Sequence, residues 1–500
     1  MNNNMTVQTI TPNPASGRGP AATLATLVAA LVLAGCSMAP KYERPAAPVA
    51  ATFPQAPAGK AGQATAADIG WRDFFADARL KRLIEIALDN NRDLSVSLLN
   101  VQRAQAQYRI QRAAQLPTVN LGLNSTRQSP GSASNSATFG VGVTSYELDL
   151  FGRIQSLKDA ALATYLAQDA TRKSAQISLV SSVATGYLSL LADDQLLQIT
   201  RDTLKTREES FKLTQLRFDN GVNSELDLRQ SEGLVESARA DLAQLERQRA
   251  QDFNALLLLL GTPNWPADVP LDNGGNLDGQ TSLLAQVPVG LPSSLLVKRP
   301  DIEAVEQQLI SANANIGAAR AAFFPRISLT GQFGRASTSL SNLFDRLVRG
   351  WSFAPSVTLP IFDFGANQAN LDVAKVDRDI AVAQYEKSIQ TAFREVADAL
   401  AGSATWDEQL RATRAQVQAA QTTFKLSDLR YRNGVASYLD LLDAQRTLYT
   451  AQQTAIQVQL SQLSNQITLY KTLGGGWQAD SVAGVAGSTS PAATVGPRTP

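Results

Sequence analysis

The sequence predicts a mostly α-helical protein with a smaller β part, built from one strand-strand-helix-helix unit written twice. Three observations carry that prediction. First, residues 217–228 align with residues 430–441 at an offset of 213, and the same offset carries Phe151-Gly152 onto Phe364-Gly365 and Leu260-Gly261 onto Leu473-Gly474. Pro117 maps to Pro325 at 208, so a loop between the prolines and the Phe-Gly pairs absorbs the difference. Two copies at this spacing mark a duplicated domain, since a solenoid repeats every 20–50 residues or so. Second, apolar residues recur every seven positions through long proline-free stretches. Third, four short segments alternate apolar and polar residues with a period of two.

Taken in order, the chain opens with an apolar run from Ala21 to Ala34, preceded by a single charge at Arg18. That is the layout of a secretory signal over residues 1–35, and a run of about 14 residues is too short to span a bilayer. The run closes on Leu33-Ala34-Gly35-Cys36, which resembles a bacterial lipobox. Cys36 is then expected as the mature N-terminus, carrying covalent diacylglycerol and palmitate, and Ser37 beside it resembles lipoproteins sorted to the outer membrane. Residues 36–70 read as an anchored, Pro/Ala-rich extended segment. Beyond Cys36 no 18-residue uncharged apolar run is read, so any membrane crossing is expected to use strands.

The first repeat is placed at 71–261 and the second at 293–473, joined by a Gly/Pro/Asp-rich linker at 262–292. Strands are expected at about 117–128, 137–150, 326–336 and 351–362. Val119, Leu121 and Leu123, then Phe139, Val141 and Val143, then Ile327, Leu329 and Phe333, then Trp351, Phe353, Val357, Leu359 and Ile361 supply the alternation. Segments of this length fit tilted transmembrane strands, and a soluble hairpin resting on helices fits the alternation as well. If lipid surrounds them, four strands cannot close a barrel and open edges are not tolerated there, so several chains must share one barrel.

Each strand pair precedes a helical hairpin, at about 152–260 and 365–473. Val183, Leu190, Leu197, Leu204, Phe211 and Phe218 recur in sevens, matched by Ile389, Val396, Leu410, Val417, Phe424 and Tyr431 with Ser403 breaking the series. A strict heptad predicts helices packed side by side as a coiled coil. Leu228, Val235 and Leu242 face them on the return helix, against Leu441, Leu448 and Ala455 in the second copy. A first helix of roughly 67 residues reaches about 100 Å at 1.5 Å per residue. Residues 474–500, rich in Gly, Ala, Ser, Thr and Pro, read as a disordered tail.

Composition excludes much chemistry. The chain has no histidine and one cysteine, which removes His-based metal sites, Ser-His-Asp and Cys-His catalysis and any intramolecular disulfide. With 45 basic and 44 acidic residues, no basic excess points to nucleic acid. No compact cluster of carboxylates suggests a hydrolase, so no enzyme and no metal are expected.

Both hairpin tips read Asn-Gly-Val-x-Ser-x-x-Asp, giving Asn220, Gly221, Val222, Ser224 and Asp227 in one copy and Asn433, Gly434, Val435, Ser437 and Asp440 in the other. The glycines suit a left-handed helix end, the serines an N-cap, and the aspartates the third position of a capping box. Asp443 lies one turn beyond Asp440 on the same face and has no capping duty. Its partner in the first copy is Gln230, so only one hairpin carries two aspartates.

The chain resembles the TolC/OprM outer-membrane factors, in their lipoprotein (NodT-like) branch serving RND efflux. The resemblance is carried by Lys298-Arg299-Pro300-Asp301-Ile302, by residues 318–325 ending in Phe323-Phe324-Pro325, by residues 438–445, and by Trp71, Phe74, Asp77, Leu80 and Leu83-Ile84. It implies a trimer whose twelve strands form one β-barrel, continued by a long α-helical periplasmic barrel. The implied function is passive conduction, across the outer membrane, of small molecules delivered by an inner-membrane pump and a periplasmic adaptor. It also implies that Asp440 and Asp443 form an acidic aperture, that Asp227 and Tyr431 contribute to the closed state, and that the tip residues named above contact the adaptor. One position departs from the family: Ala436 stands where an arginine would link to the aspartate, so closure is expected to use other contacts, such as Arg430 or Arg432. The rival readings are an adaptor-like coiled-coil lipoprotein and a duct for type I protein secretion.

Overall fold

The computed structural model describes residues 38–54, 66–127, 136–270, 277–280, 284–285, 298–338, 340–341, 343 and 349–481. The signal segment and Cys36 lie outside the described residues, as does the tail beyond residue 481. The elements run α1 (Trp71–Phe74), α2 (Ala78–Asn90), α3 (Arg92–Ala113), β1 (Val119–Thr126), β2 (Ser136–Leu148), α4 (Arg153–Asp219) and α5 (Glu225–Leu260). They continue with α6 (Leu277–Gln280), α7 (Pro300–Ala321), β3 (Arg326–Ser337), β4 (Arg349–Thr358), α8 (Ala366–Arg432) and α9 (Tyr438–Thr472). The helices α4 and α8 are each 67 residues long.

The chain divides into two compact units. One holds the sheet together with the neighbouring helix ends. Its four strands are antiparallel in the order β1-β2-β3-β4, so the two repeats meet at β2 and β3. β1 and β4 are the edges, and Pro355 sits in β4, where a missing ladder donor is tolerated. A bulge between Val143 and Tyr146, with Ser145 at φ 54, shifts the register of β2. Tyr146 and Leu148 therefore fall opposite Leu329 and Ile327, on the same face as Val143, which an uninterrupted period of two would not permit. In the same unit the extended segment at 38–40 lies along α7: Asn313 donates to the Pro40 carbonyl at 2.7 Å and Arg320 to that of Met38 at 3.2 Å. A Cβ at Gly317 would collide with Ala39 and Ser156, so only glycine allows that approach.

The second unit is helical. Its largest core joins Trp71, Phe74, Leu83 and Ile84 to the α4 stretch Leu179–Leu196, Leu256 and Leu260 of α5, and Leu463, Ile467 and Tyr470 of α9. Phe74 stacks on Tyr470 at 3.9 Å, and the Tyr470 hydroxyl donates to the Ile69 carbonyl at 2.6 Å. Arg299 ties three elements: it donates to both Asp301 oxygens at 3.0 and 2.7 Å, to Glu395 at 2.8 Å and to the Thr472 carbonyl at 2.9 Å. The Lys-Arg-Pro-Asp-Ile motif is thus a clamp on the start of α7, the middle of α8 and the end of α9.

Two sequence expectations need correction here. α4 does contain an 18-residue stretch long and apolar enough to cross a membrane, and most of that stretch is buried within the protein, so its apolarity serves packing. The heptad seam is also only half of what packs. Val183, Leu190 and Leu197 are buried, but Leu204, Phe211 and Phe218 are only partly so. Toward the tip the buried positions are instead Asp193, Thr200, Arg207 and Thr214, again seven apart but polar. Thr200 and Arg207 meet Tyr449 on α9, where Leu442, Tyr449, Ile456, Leu463 and Tyr470 are buried rather than Leu448 and Ala455. Thr200 shares a 3.0 Å hydrogen bond with the Tyr449 hydroxyl.

Candidate functional site at the hairpin tips and sheet faces

The register sorts the sheet residues by chemistry. Rows such as Leu121–Val141–Phe333–Trp351 and Val119–Val143–Gly331–Phe353 cross all four strands on one face. Val119, Leu121, Val141, Phe333, Trp351 and Phe353 are exposed, Trp351 at 77%, and Val143 is half-buried. The opposite face carries Asn120, Asn124, Thr138, Thr144, Ser328, Thr330, Gln332, Ser352 and Ser356, with a row of glycines, Gly122–Gly140–Gly334–Gly350, running across it. An uncovered apolar face this broad is not stable in water, and opposed apolar and polar faces are what a barrel wall in lipid requires.

Both tips close by the same local physics. Val222 N–H donates to the Arg217 carbonyl and Gly221 N–H to that of Phe218, both at 2.8 Å, with Gly221 at φ 72. This is a Schellman ending, which asks for a residue without Cβ at the left-handed position. Val435 and Gly434 repeat it on Arg430 and Tyr431, with Gly434 at φ 73. Ser224 and Ser437 then cap α5 and α9 in full capping boxes, with Asp227 and Asp440 as the reciprocating carboxylates. Asp440 and Asp443 are both exposed, and no hydrogen bond or ion pair engages Asp443 among the described residues. Val222 and Val435 are exposed at 71% and 68%, beside the exposed Leu226 and Leu439.

Tyr431 is buried in a small tip core with Tyr438, Leu441, Leu442 and Leu234. Its hydroxyl accepts from Asn223 Nδ2 at 3.0 Å and lies 3.3 Å from the Thr214 hydroxyl, while Asp227 is engaged by Ser224. The cation at this junction is Arg217, from the other hairpin. Its guanidinium sits 4.4 Å from the centre of the Tyr431 ring and donates to the carbonyls of Tyr431 and Arg432 at 3.1 Å each. Arg432, which the sequence offered for this duty, pairs instead with Asp428 at 2.7 Å. Arg217 escaped the sequence reading because an arginine in the last turn of a helix ordinarily needs no partner beyond the helix dipole.

A chain that combines a lipid-type sheet, open at both edges, with two long helical hairpins ending in capped tips belongs to the class of multi-chain outer-membrane conduits. The outer membrane efflux protein family matches residues 83–262 and 291–475, and the chain belongs to that family. It is 48% identical over 466 residues to the antibiotic efflux pump outer membrane protein ArpC of Pseudomonas putida, covering 91% of this chain and 95% of that one. It is 46% identical over 469 residues to the outer membrane protein OprJ of Pseudomonas aeruginosa, covering 92% and 97%. The open state of the MtrE outer membrane channel of Neisseria gonorrhoeae superposes with a TM-score of 0.81 at 42% identity, covering 89% of this chain and all of that one. The protein is thus an efflux component of the bacterial outer membrane with the TolC/OprM-type fold, as its sequence resemblance implied.

Proposed function

We propose that three copies of this chain assemble a passive duct, which carries small molecules across the outer membrane after an inner-membrane RND-type pump and a periplasmic adaptor deliver them. The observation that carries this reading is the four-stranded sheet with one apolar face, one polar face and two unpaired edges. Joining β4 of one copy to β1 of the next satisfies both edges, and three copies give twelve strands. The polar face then lines the lumen, and the glycine row removes side chains from it at one level.

The tips supply the control point. Three copies of Asp440 and Asp443 converge as an acidic aperture that favours cations and is blocked by multivalent ones. Asp440 serves both cap and aperture, since its capping oxygen is Oδ2. The exposed Val222, Val435, Leu226 and Leu439 give an adaptor apolar contacts at the tips, together with Asn220, Gly221, Ser224, Asn433, Gly434 and Ser437. A diacylglyceryl and palmitoyl anchor on Cys36 holds the mature N-terminus in the membrane. No step of this transport needs a catalytic residue or cofactor from the chain. Mass measurement of the detergent-solubilised protein, with and without cross-linking, tests the assembly: a trimer is expected, and a stable monomer with an intact sheet contradicts the reading.

A further inference from the structure

A cavity of about 140 Å³ opens in the helical unit between α4, α8 and α9, lined among others by Ile199, Arg207, Phe424, Gln445, Leu448 and Tyr449. It lies about 20 Å along α4 from Gly221, at 1.5 Å per residue. Two of its lining side chains are over nine-tenths buried and incompletely satisfied. Arg207, 4% exposed, donates through Nη1 to the Leu234 carbonyl at 3.0 Å and sits 5.1 Å from the centre of the Tyr449 ring, yet its Nε has no partner. Gln445, 5% exposed, donates through Nε2 to Ser210 at 2.9 Å, while its Oε1 has no partner.

A buried guanidinium is normally matched by a carboxylate, because the desolvation of an unmatched ion is large. Arg207 has none in ion-pair contact. The Asp241 charge acts on it only at a distance, and burial pulls its pKa down. The second copy of the repeat has Ala420 at the corresponding position, so the duplicated fold does not require an arginine there. Of the remaining walls, Ile199, Phe424, Leu448 and Tyr449 are apolar or aromatic, while Asp202, Thr203, Thr206 and Gln452 are polar, the exposed Asp202 carboxylate accepting from Gln198 Nε2. An engineered apolar cavity of about 150 Å³ holds a benzene molecule, so this volume admits one aromatic ring.

We propose that this cavity binds a small aromatic carboxylate bearing a ring hydroxyl or amine. The carboxylate accepts from Arg207, the ring packs between Phe424 and Tyr449, and the ring substituent donates to Gln445 Oε1. The site is in the helical wall and needs no contact with Asp440 or Asp443. It is therefore independent of the aperture.

The test is calorimetric titration of the purified full-length protein in detergent with 4-hydroxybenzoate, alongside neutral benzyl alcohol. Saturable binding at one ligand per chain is expected, with benzyl alcohol and the Arg207→Met variant each weaker by about tenfold or more. Leu448→Trp, which fills the cavity and leaves Arg207 in place, is expected to abolish binding and keeps the test decisive should Arg207→Met fail to fold. An absence of saturable binding would mean that the cavity holds only water, and the proposal falls. It falls equally if benzyl alcohol binds as tightly, or if Leu448→Trp binds like the parent protein.

Discussion

Single side chains decide how the two hairpins are held together. Arg217 joins them by stacking on Tyr431 and donating to two carbonyls at the end of α8. Arg217→Ala removes the ring contact and both donors, so the tips should separate more readily, with a loss of about 1–3 kcal/mol in tip stability. Hydrogen exchange of amides 428–440 should then accelerate relative to those at 463–470. Asp193 makes a second residue-scale prediction. Burial, then its hydrogen bond with Asp252, pushes its carboxyl up to about 7, and its Oδ2 has no partner. A carboxyl raised in the folded state contributes stability that is full below its unfolded value near 4 and is lost as pH rises through about 7. Asp193→Asn should therefore raise Tm most at pH 8.5, and by about half as much at pH 5.5, midway between the unfolded and folded values. An equal shift at both values would assign the effect to packing.

Among the elements, what could be read in the sequence depended on whether a residue's polarity matched its burial. The strands announced themselves through Leu121, Val141, Phe333 and Trp351, because a face toward lipid obeys the period of two as cleanly as a face toward a core. The helices were equally plain where Val183, Leu190 and Leu197 pack. The seam through Asp193, Thr200, Arg207 and Thr214 was not, because polar residues at heptad spacing read as a solvated face until Thr200, Thr214 and Arg207 are seen bonded to Tyr449, Tyr431 and the Leu234 carbonyl. The bulge at Ser145 was also hidden, since it needs no glycine and shows only in the register. At the tips the motif revealed caps and turns, but the partner of Tyr431 lay 214 residues away in sequence. Two predictions belong here. Gly334→Ala should weaken the sheet, because the new Cβ would collide with the Phe139 carbonyl, whereas Gly350→Ala, with open space around it, should not. Phe353→Arg on the apolar face should cost about 2–4 kcal/mol in lipid, while Ser352→Arg on the polar face should be tolerated. Denaturant titration of the refolded protein in vesicles would compare all four.

For the whole molecule, the duplicated unit explains why one chain is insufficient. Each repeat supplies two strands and one hairpin, and joining the repeats through β2 and β3 still leaves two edges unpaired. Edges in lipid force association, and on the function proposed above each copy contributes its double-aspartate hairpin to one shared aperture. The central claim is that the assembly conducts and that Asp440 and Asp443 set its aperture. Planar-bilayer conductance of the purified protein tests it most directly. Small, cation-preferring channels blocked by a trivalent cation are expected, with an Asp440→Asn/Asp443→Asn variant that loses both the preference and the block. No channels at all, or double-variant channels with unchanged selectivity and block, would contradict it.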